Sequence, residues 1–222
     1  MVQNDWLDTE KGVELYFDSI RMELKAKSKK KPARLLLDGS IRGKAAPGRM
    51  LAIMGPSGSG KTTLLDALAG KIRYSSSIRL NGRRFVNQHL LSGGSMLPAA
   101  YIEQDSNFFP HMTVRETLSF RVELKMGSTL RKPDKDKLVD DLMEQLNLSK
   151  SANTVVGNNK VRGISGGERK RLSIACEMIS SPSVIFLDEP TSGEYGRCIP
   201  VGFDLLYVCV LGFPHTVFQF PF

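Results

Sequence analysis

Read for its apolar and polar positions, the chain changes period several times. Residues 13–24 (VELYFDSIRMEL) partly alternate and run into a lysine-rich stretch, which predicts an edge strand and a linker. Residues 49–54 (RMLAIM) are a short apolar run that breaks into glycines, as a buried parallel strand feeding a turn does. Apolar residues then recur at helical spacing over residues 62–71 (TTLLDALAGK), with Gly70 as the stop. An Asn-Gly pair inside residues 77–85 (SIRLNGRRF) predicts a hairpin. Two one-faced helices follow, over residues 113–125 (TVRETLSFRVELK) and 134–148 (DKDKLVDDLMEQLNL). In the latter, Leu138, Leu142 and Leu146 lie four apart, with Val139 and Met143 beside them. Residues 183–190 (SVIFLDEP) form another buried-strand run, ending in two acids. After Gly193 the period is lost among Pro200, Pro214, Pro221 and several phenylalanines.

The fold class these elements predict is α/β. A parallel sheet flanked by helices carries a small antiparallel lobe near the N-terminus and a helical subdomain over about residues 106–180. Residues 1–34 read as an N-terminal strand and basic linker, 35–193 as one domain, and 194–222 as a hydrophobic tail. With 222 residues, the chain can bury about 70% of its unfolded surface.

Composition changes this picture little. Hydrophobic residues at 41% and charged residues at 24% are ordinary for a globular protein. The net charge of +8 permits nucleic acid, anionic lipid or phosphate ligands, and basic residues on solvated faces are its plainer cause. The densest basic cluster, residues 25–34, has no interleaved aromatics, so stacking on single-stranded nucleic acid is not supported and no nucleic-acid partner is expected. Cys176, Cys198 and Cys209 have neither metal-ligand spacing nor a disulfide framework, which fits the cytosolic side. The N-terminal residues do not form a secretory signal. The longest apolar run, residues 205–213, falls short of the about 20 residues that a spanning helix needs.

Residues 55–63 (GPSGSGKTT) match G-x-x-x-x-G-K-[ST] between a predicted strand and a predicted helix. Here Gly55, Pro56, Ser57, Gly58, Ser59 and Gly60 would wrap backbone N–H groups around phosphate oxygens, continued by Thr63 at the helix end. Lys61 would reach the β and γ phosphates, and the Thr62 hydroxyl would meet Mg²⁺. Asp188, at the end of a strand, would hold the metal's water shell, and Glu189 would polarise an attacking water. In residues 163–175 (GISGGERKRLSIA), Ser165 and Glu168 form a capping box, while Gly166 and Gly167 leave N–H groups at a positive helix end. That segment reads either as a capped surface helix or as a second anion site serving a nucleotide held mainly by another subunit.

Together with YIEQDSNFFPHMTVRETLSF (residues 101–120), these segments resemble the ATPase domain of an ATP-binding cassette transporter of the G subfamily. The likeness runs in family order from about residue 13 to residue 193. It implies ATP and Mg²⁺ as cofactors and a P-loop nucleotidase core. Gln104 becomes a metal contact that senses the transmembrane domain, and residues 165–168 a signature closing over ATP on a partner cassette. It further implies two partners, a second cassette and a transmembrane domain, at the cytosolic face of a membrane. The implied activity is ATP hydrolysis that drives substrate export through head-to-tail closure of two cassettes.

Several positions depart from the family pattern. Met22, flanked by Tyr16 and Phe17, stands where an adenine-stacking aromatic is usual. Glu194 and Tyr195 replace a Leu-Asp turn. His215 is the only histidine after Glu189, and it does not sit at a strand end as the switch histidine does. His89, His111 and the LSGG of residues 91–94 read as loop. The core is therefore expected to be incomplete at its C-terminal side, with turnover impaired. The alternative reading is a non-catalytic ATP-binding fragment, or an inhibitory partner of an intact cassette.

Overall fold

A computed structural model describes residues 13–26, 33–72, 75–91, 99–103 and 107–188, together with the backbone of 203–210. Gln104, Glu189, Glu194, Tyr195, Cys198, His215 and most of the LSGG segment lie outside the described residues. Two compact units emerge. One gathers the chain up to Tyr101 with Ser183–Glu189 and Ile199–Thr216, and the other is built on Ile102–Pro182.

The first unit holds an antiparallel sheet in which β1 (Leu15–Leu24) lies between β2 (Arg34–Asp38) and β5 (Ile78–Val86). The short β3 (Gly43–Ala45) also pairs with β1, and β6 (His89–Leu90) closes the far side of β5. The expected edge strand is thus an inner one. Its alternation looked partial because the buried set switches parity, from Leu15 and Phe17 to Ile20 and Met22. A bulge causes the switch: the register with β5 shifts between Asp18 and Arg21, and Ser19 takes φ 56°.

The Asn-Gly hairpin is also corrected, because β5 runs straight through Asn81 and Gly82. Gly82, at φ +121°, lies so close to the bulge that a Cβ would come within 2.8 Å of Ser19 O and Ile20 Cα. Glycine is there for close approach, not for a turn. The turn falls instead at Asn87 and Gln88, whose φ values of 46° and 70° suit a two-residue hairpin loop. Asn87 ties that loop to β1, accepting from Glu14 N at 2.7 Å and donating its own N–H to Glu14 O at 3.0 Å. His89 accordingly sits in a strand rather than a loop.

The second sheet of this unit has the order β4 (Met50–Pro56), β9 (Phe203–Val210), β8 (Val184–Asp188), β7 (Ala99–Ile102). It is not the parallel sheet that was expected, because β9 runs antiparallel to both β4 and β8. Those two strands therefore point the same way without touching. The stretch beyond Gly193 thus supplies a strand where no period was legible. All five residues of β8 are buried. β4 is less buried than its sequence suggests: Met54 is 60% exposed, and among the described residues β4 pairs on one side only.

Helix α1 (Lys61–Ala69) buries Leu64, Leu65, Ala67 and Leu68 in one cluster with Leu15, Phe17, Phe186 and Val208. It stops at Gly70, left-handed at φ 75°, with the Lys71 N–H returned to Asp66 O at 3.0 Å.

The other unit is helical. α2 (Val114–Met126) presents Val114, Leu118 and Val122 to its core, and α3 (Lys132–Gln145) presents Val139, Leu142 and Met143. α4 (Gly166–Met178) adds Leu172, Ile174, Ala175 and Cys176. The Cys176 thiol is pushed up to about 12 by burial, so it packs as a small apolar group. No helix of the described residues is long and apolar enough to cross a membrane.

The bulge contact yields a direct expectation. Gly82→Ala should destabilise the protein by about 1–3 kcal/mol through its positive φ and the blocked approach to β1. The neighbouring Asn81→Ala should cost less than about 0.5 kcal/mol. Urea unfolding of the two variants beside the unsubstituted chain checks both.

Candidate functional site

At its C-terminal end β4 passes into a turn with two left-handed glycines. Gly58 and Gly60 have φ values of 78° and 93°. A Cβ on Gly55 would meet Ser59 Oγ at 3.0 Å, and one on Gly60 would meet Leu36 O and Leu37 Cδ2 at 3.3 Å. The Ser59 N–H closes the turn onto Pro56 O at 3.2 Å. The chain then enters α1 directly, with Gly60 as its N-cap.

This helix end differs from the others. α1 has no side-chain cap and no acidic residue in its first turn. By contrast, α2 and α4 are closed by capping boxes, with Glu116 and Glu168 in their first turns, and α3 carries Asp134. Helical geometry leaves the N–H groups of Lys61, Thr62 and Thr63 without intrahelical acceptors. The helix dipole adds partial positive charge at the same place. Lys61, only 7% exposed, curls over the turn and donates from Nζ to Pro56 O at 2.7 Å. Dipole, N–H groups and ammonium together form a cradle for an anion.

Beside the cradle stands the last residue of β8. Asp188 is 8% exposed and accepts from the Thr62 hydroxyl, with Oγ1 to Oδ1 at 3.3 Å. Its other oxygen, Oδ2, lies 3.5 Å from the Tyr101 hydroxyl. Tyr101 is held in turn by Lys71, whose Nζ sits 3.7 Å from the ring centroid, and by Phe186 at 6.4 Å between centroids. Tyr101 was missed in the sequence, where nothing links it to an aspartate 87 positions later.

A hydroxyl and a carboxylate this close suit a hard divalent cation. Among the described residues no group of three His, Cys, Asp or Glu side chains could hold a metal alone. A cation here would take its remaining ligands from water and from the bound anion, which is how Mg²⁺ usually binds beside phosphates.

The second predicted corner lies in the helical unit. The N–H and hydroxyl of Ser165 donate to Glu168 Oε2 at 2.8 and 2.9 Å, and Glu168 N–H returns to Ser165 Oγ at 3.3 Å. The Ser151 hydroxyl donates to Oε1. That bond first, then the N–H of Ser165, holds the Glu168 carboxyl below the usual range. The capping box uses the N–H groups of Ser165 and Glu168 but not those of Gly166 and Gly167, and a Cβ on Gly166 would meet nothing within 4 Å. Around this end Arg169 Nη2 donates to Val156 O and Gly157 O at 3.0 and 2.6 Å, and Lys170 Nζ to Glu103 O at 2.8 Å.

Of the aromatics near β1, Phe17 is core at 2% exposure and Met22 is buried at 6%, whereas Tyr16 stays 37% exposed and pairs with Phe85. His111 lies in a turn, as expected.

A glycine turn between a strand and a helix without a side-chain cap, with lysine, threonine and a strand-end aspartate around it, is the arrangement of the P-loop NTPase fold. Residues 39–192 match the ABC transporter family model. The chain is 46% identical over 198 residues to ABC transporter G family member 7 of Arabidopsis thaliana, covering 86% of this chain and 27% of that protein. It is 44% identical over 169 residues to G family member 19 of the same plant, covering 75% and 23%. With G family member STR of Petunia hybrida it shares 43% over 166 residues, covering 73% and 19%. The chain thus belongs to the ABC transporter family, as a nucleotide-binding domain of the G subfamily. It spans about a quarter of the length of these relatives.

The depressed Glu168 carboxyl supports folding at neutral pH. Its contribution is present above the unfolded carboxylate pKa and is lost as pH falls through the lower folded value. Ser151→Ala removes the largest cause, so it should lower stability by about 1 kcal/mol at pH 7. The gap to the unsubstituted chain should shrink as the pH drops below about 4. Urea midpoints measured across that range read the effect.

Proposed function

We propose that this chain binds and hydrolyses ATP, and that its cycle of closing on and releasing a second cassette powers substrate export through a transmembrane domain. The observation that carries this reading is the Thr62–Asp188 contact of 3.3 Å at the one α-helix start, among the described residues, with neither a side-chain cap nor an acid.

Residues 55–63 would wrap the phosphates, with Lys61 on the β and γ groups. Bound at Thr62 and Asp188, with Gln104 as a further ligand, Mg²⁺ would neutralise charge that builds on the transferring phosphate. Asp188 would hold that metal's water shell while Tyr101 and Thr62 restrain its two oxygens. Glu189, next along the chain, would take the proton of the attacking water. Residues 165–168 would close over the γ-phosphate bound to the partner, with Ser165 and Gly167 contacting it; the capping box does not use the N–H groups of Gly166 and Gly167. The partners are then a second ABC ATPase domain and a transmembrane domain, at the cytosolic face of a membrane, without nucleic acid.

Turnover is proposed to be weak. No histidine matches the switch position, and Glu194 and Tyr195 stand in place of the turn that crosses between cassettes. The same departures favour the second reading, a chain that holds ATP without hydrolysing it or that inhibits an intact cassette by pairing with it.

Labelled-ATP binding and phosphate release by the isolated chain separate these readings. Lys61→Ala should abolish Mg²⁺-dependent binding, and unchanged binding would sink both. Glu189→Gln should leave binding intact and cut whatever release remains by about 10²–10⁴-fold. Binding with no release in the unsubstituted chain favours the second reading.

A further inference from the structure

The P-loop strand and the aspartate strand are not bonded to each other. Among the described residues β9 alone pairs with both β4 and β8. Its residues lie past the segment that the family model covers, which ends at residue 192.

Register makes this placement consequential. Leu206 of β9 is opposite Ile53 on one side and Asp188 on the other, and Val208 is opposite Leu51 and Phe186. Residues directly opposite share a face, so Asp188 lies on the same face as Ile53, Leu51, Phe186 and Val208. That is the face packed by α1, since Phe186 and Val208 join Leu64, Leu65 and Leu68 in the core, with Leu51 and Ile53 against it. The side-chain period of a strand is two, so a slip of β9 by one residue against β8 would carry Asp188 to the opposite face. Removing β9 would leave β4 and β8 two strand spacings apart, about 9–10 Å, with the packing of α1 on both but no ladder between them to fix their register. Thr62 is carried by α1 at the end of β4, and Asp188 by β8; they approach to 3.3 Å with α1 packed on both strands and β9 fixing the register between them.

We propose that residues 203–210 are a positioning strand of the nucleotide site: by bridging β4 and β8 in this antiparallel register they set Asp188 against Thr62, and Mg²⁺-dependent nucleotide binding requires them. The proposal rests on the reading of the P-loop given under Proposed function. It goes further by assigning a role in that site to residues outside the family model.

The register supplies its own probe. Cys209 is opposite Met50. Directly opposed residues of an antiparallel pair have Cα atoms about 4.5–5.5 Å apart, within disulfide range. Mild oxidation of the full chain carrying Met50→Cys should link position 50 to Cys209, as read by peptide mass mapping. The linked chain should retain Mg²⁺-dependent binding of a fluorescent ATP analogue, and should keep it to higher urea than the reduced form. Leu206→Pro removes an N–H in mid-strand and should weaken that binding by about 10–100-fold. Three results would overturn the proposal: no 50–209 link, a linked chain no more resistant to urea than the reduced one, or full-strength binding by Leu206→Pro. The urea comparison decides the matter even where the proline variant does not fold. Should Lys61→Ala bind nucleotide normally while the 50–209 link still forms, the P-loop reading fails and the strand placement stands.

Discussion

The amino end of α1 has neither a side-chain cap nor an acid, and the positive end of its dipole governs the chemistry around it. A helix end so placed is unfavourable unless an anion or water satisfies it. The glycine turn keeps side chains away from it, and buried Lys61 adds a full charge to the partial charge of the dipole. Every other described α-helix carries an acid in its first turn, so the exception is confined to the site.

Charge is handled differently at the second corner. Glu168 occupies part of the α4 end itself, fastened by Ser151 and Ser165, so the carboxylate stabilises the helix and leaves only the two glycine N–H groups for another ligand. Arg169 and Lys170, donating to nearby carbonyls, tie the helix start to the loops of its own unit.

Where the sequence misled, the cause was a contact distant along the chain. Asn81-Gly82 is a turn signal in isolation, yet Gly82 serves the bulge of β1, more than sixty positions earlier. The alternation of residues 13–24 looked imperfect because that bulge moves the buried set from odd to even positions. Residues 203–210 gave no legible signal because their pairing partners, β4 and β8, lie far earlier along the chain. Tyr101 drew no attention since its partner Asp188 comes from a different strand.

The sequence by itself determined the local chemistry: the glycine turn, Lys61 and Thr62 at a helix start, the acid ending VIFLD, the Gly70 stop and the Ser165–Glu168 box. Each depends on residues within a few positions of one another, where backbone geometry and capping act without help from the rest of the chain. Only the tertiary structure decided which strands are neighbours, that β9 runs antiparallel to β4 and β8, and that Thr62, Asp188 and Tyr101 meet. Those outcomes depend on pairing across long loops, where register is chosen by the burial of whole faces rather than by any local signal.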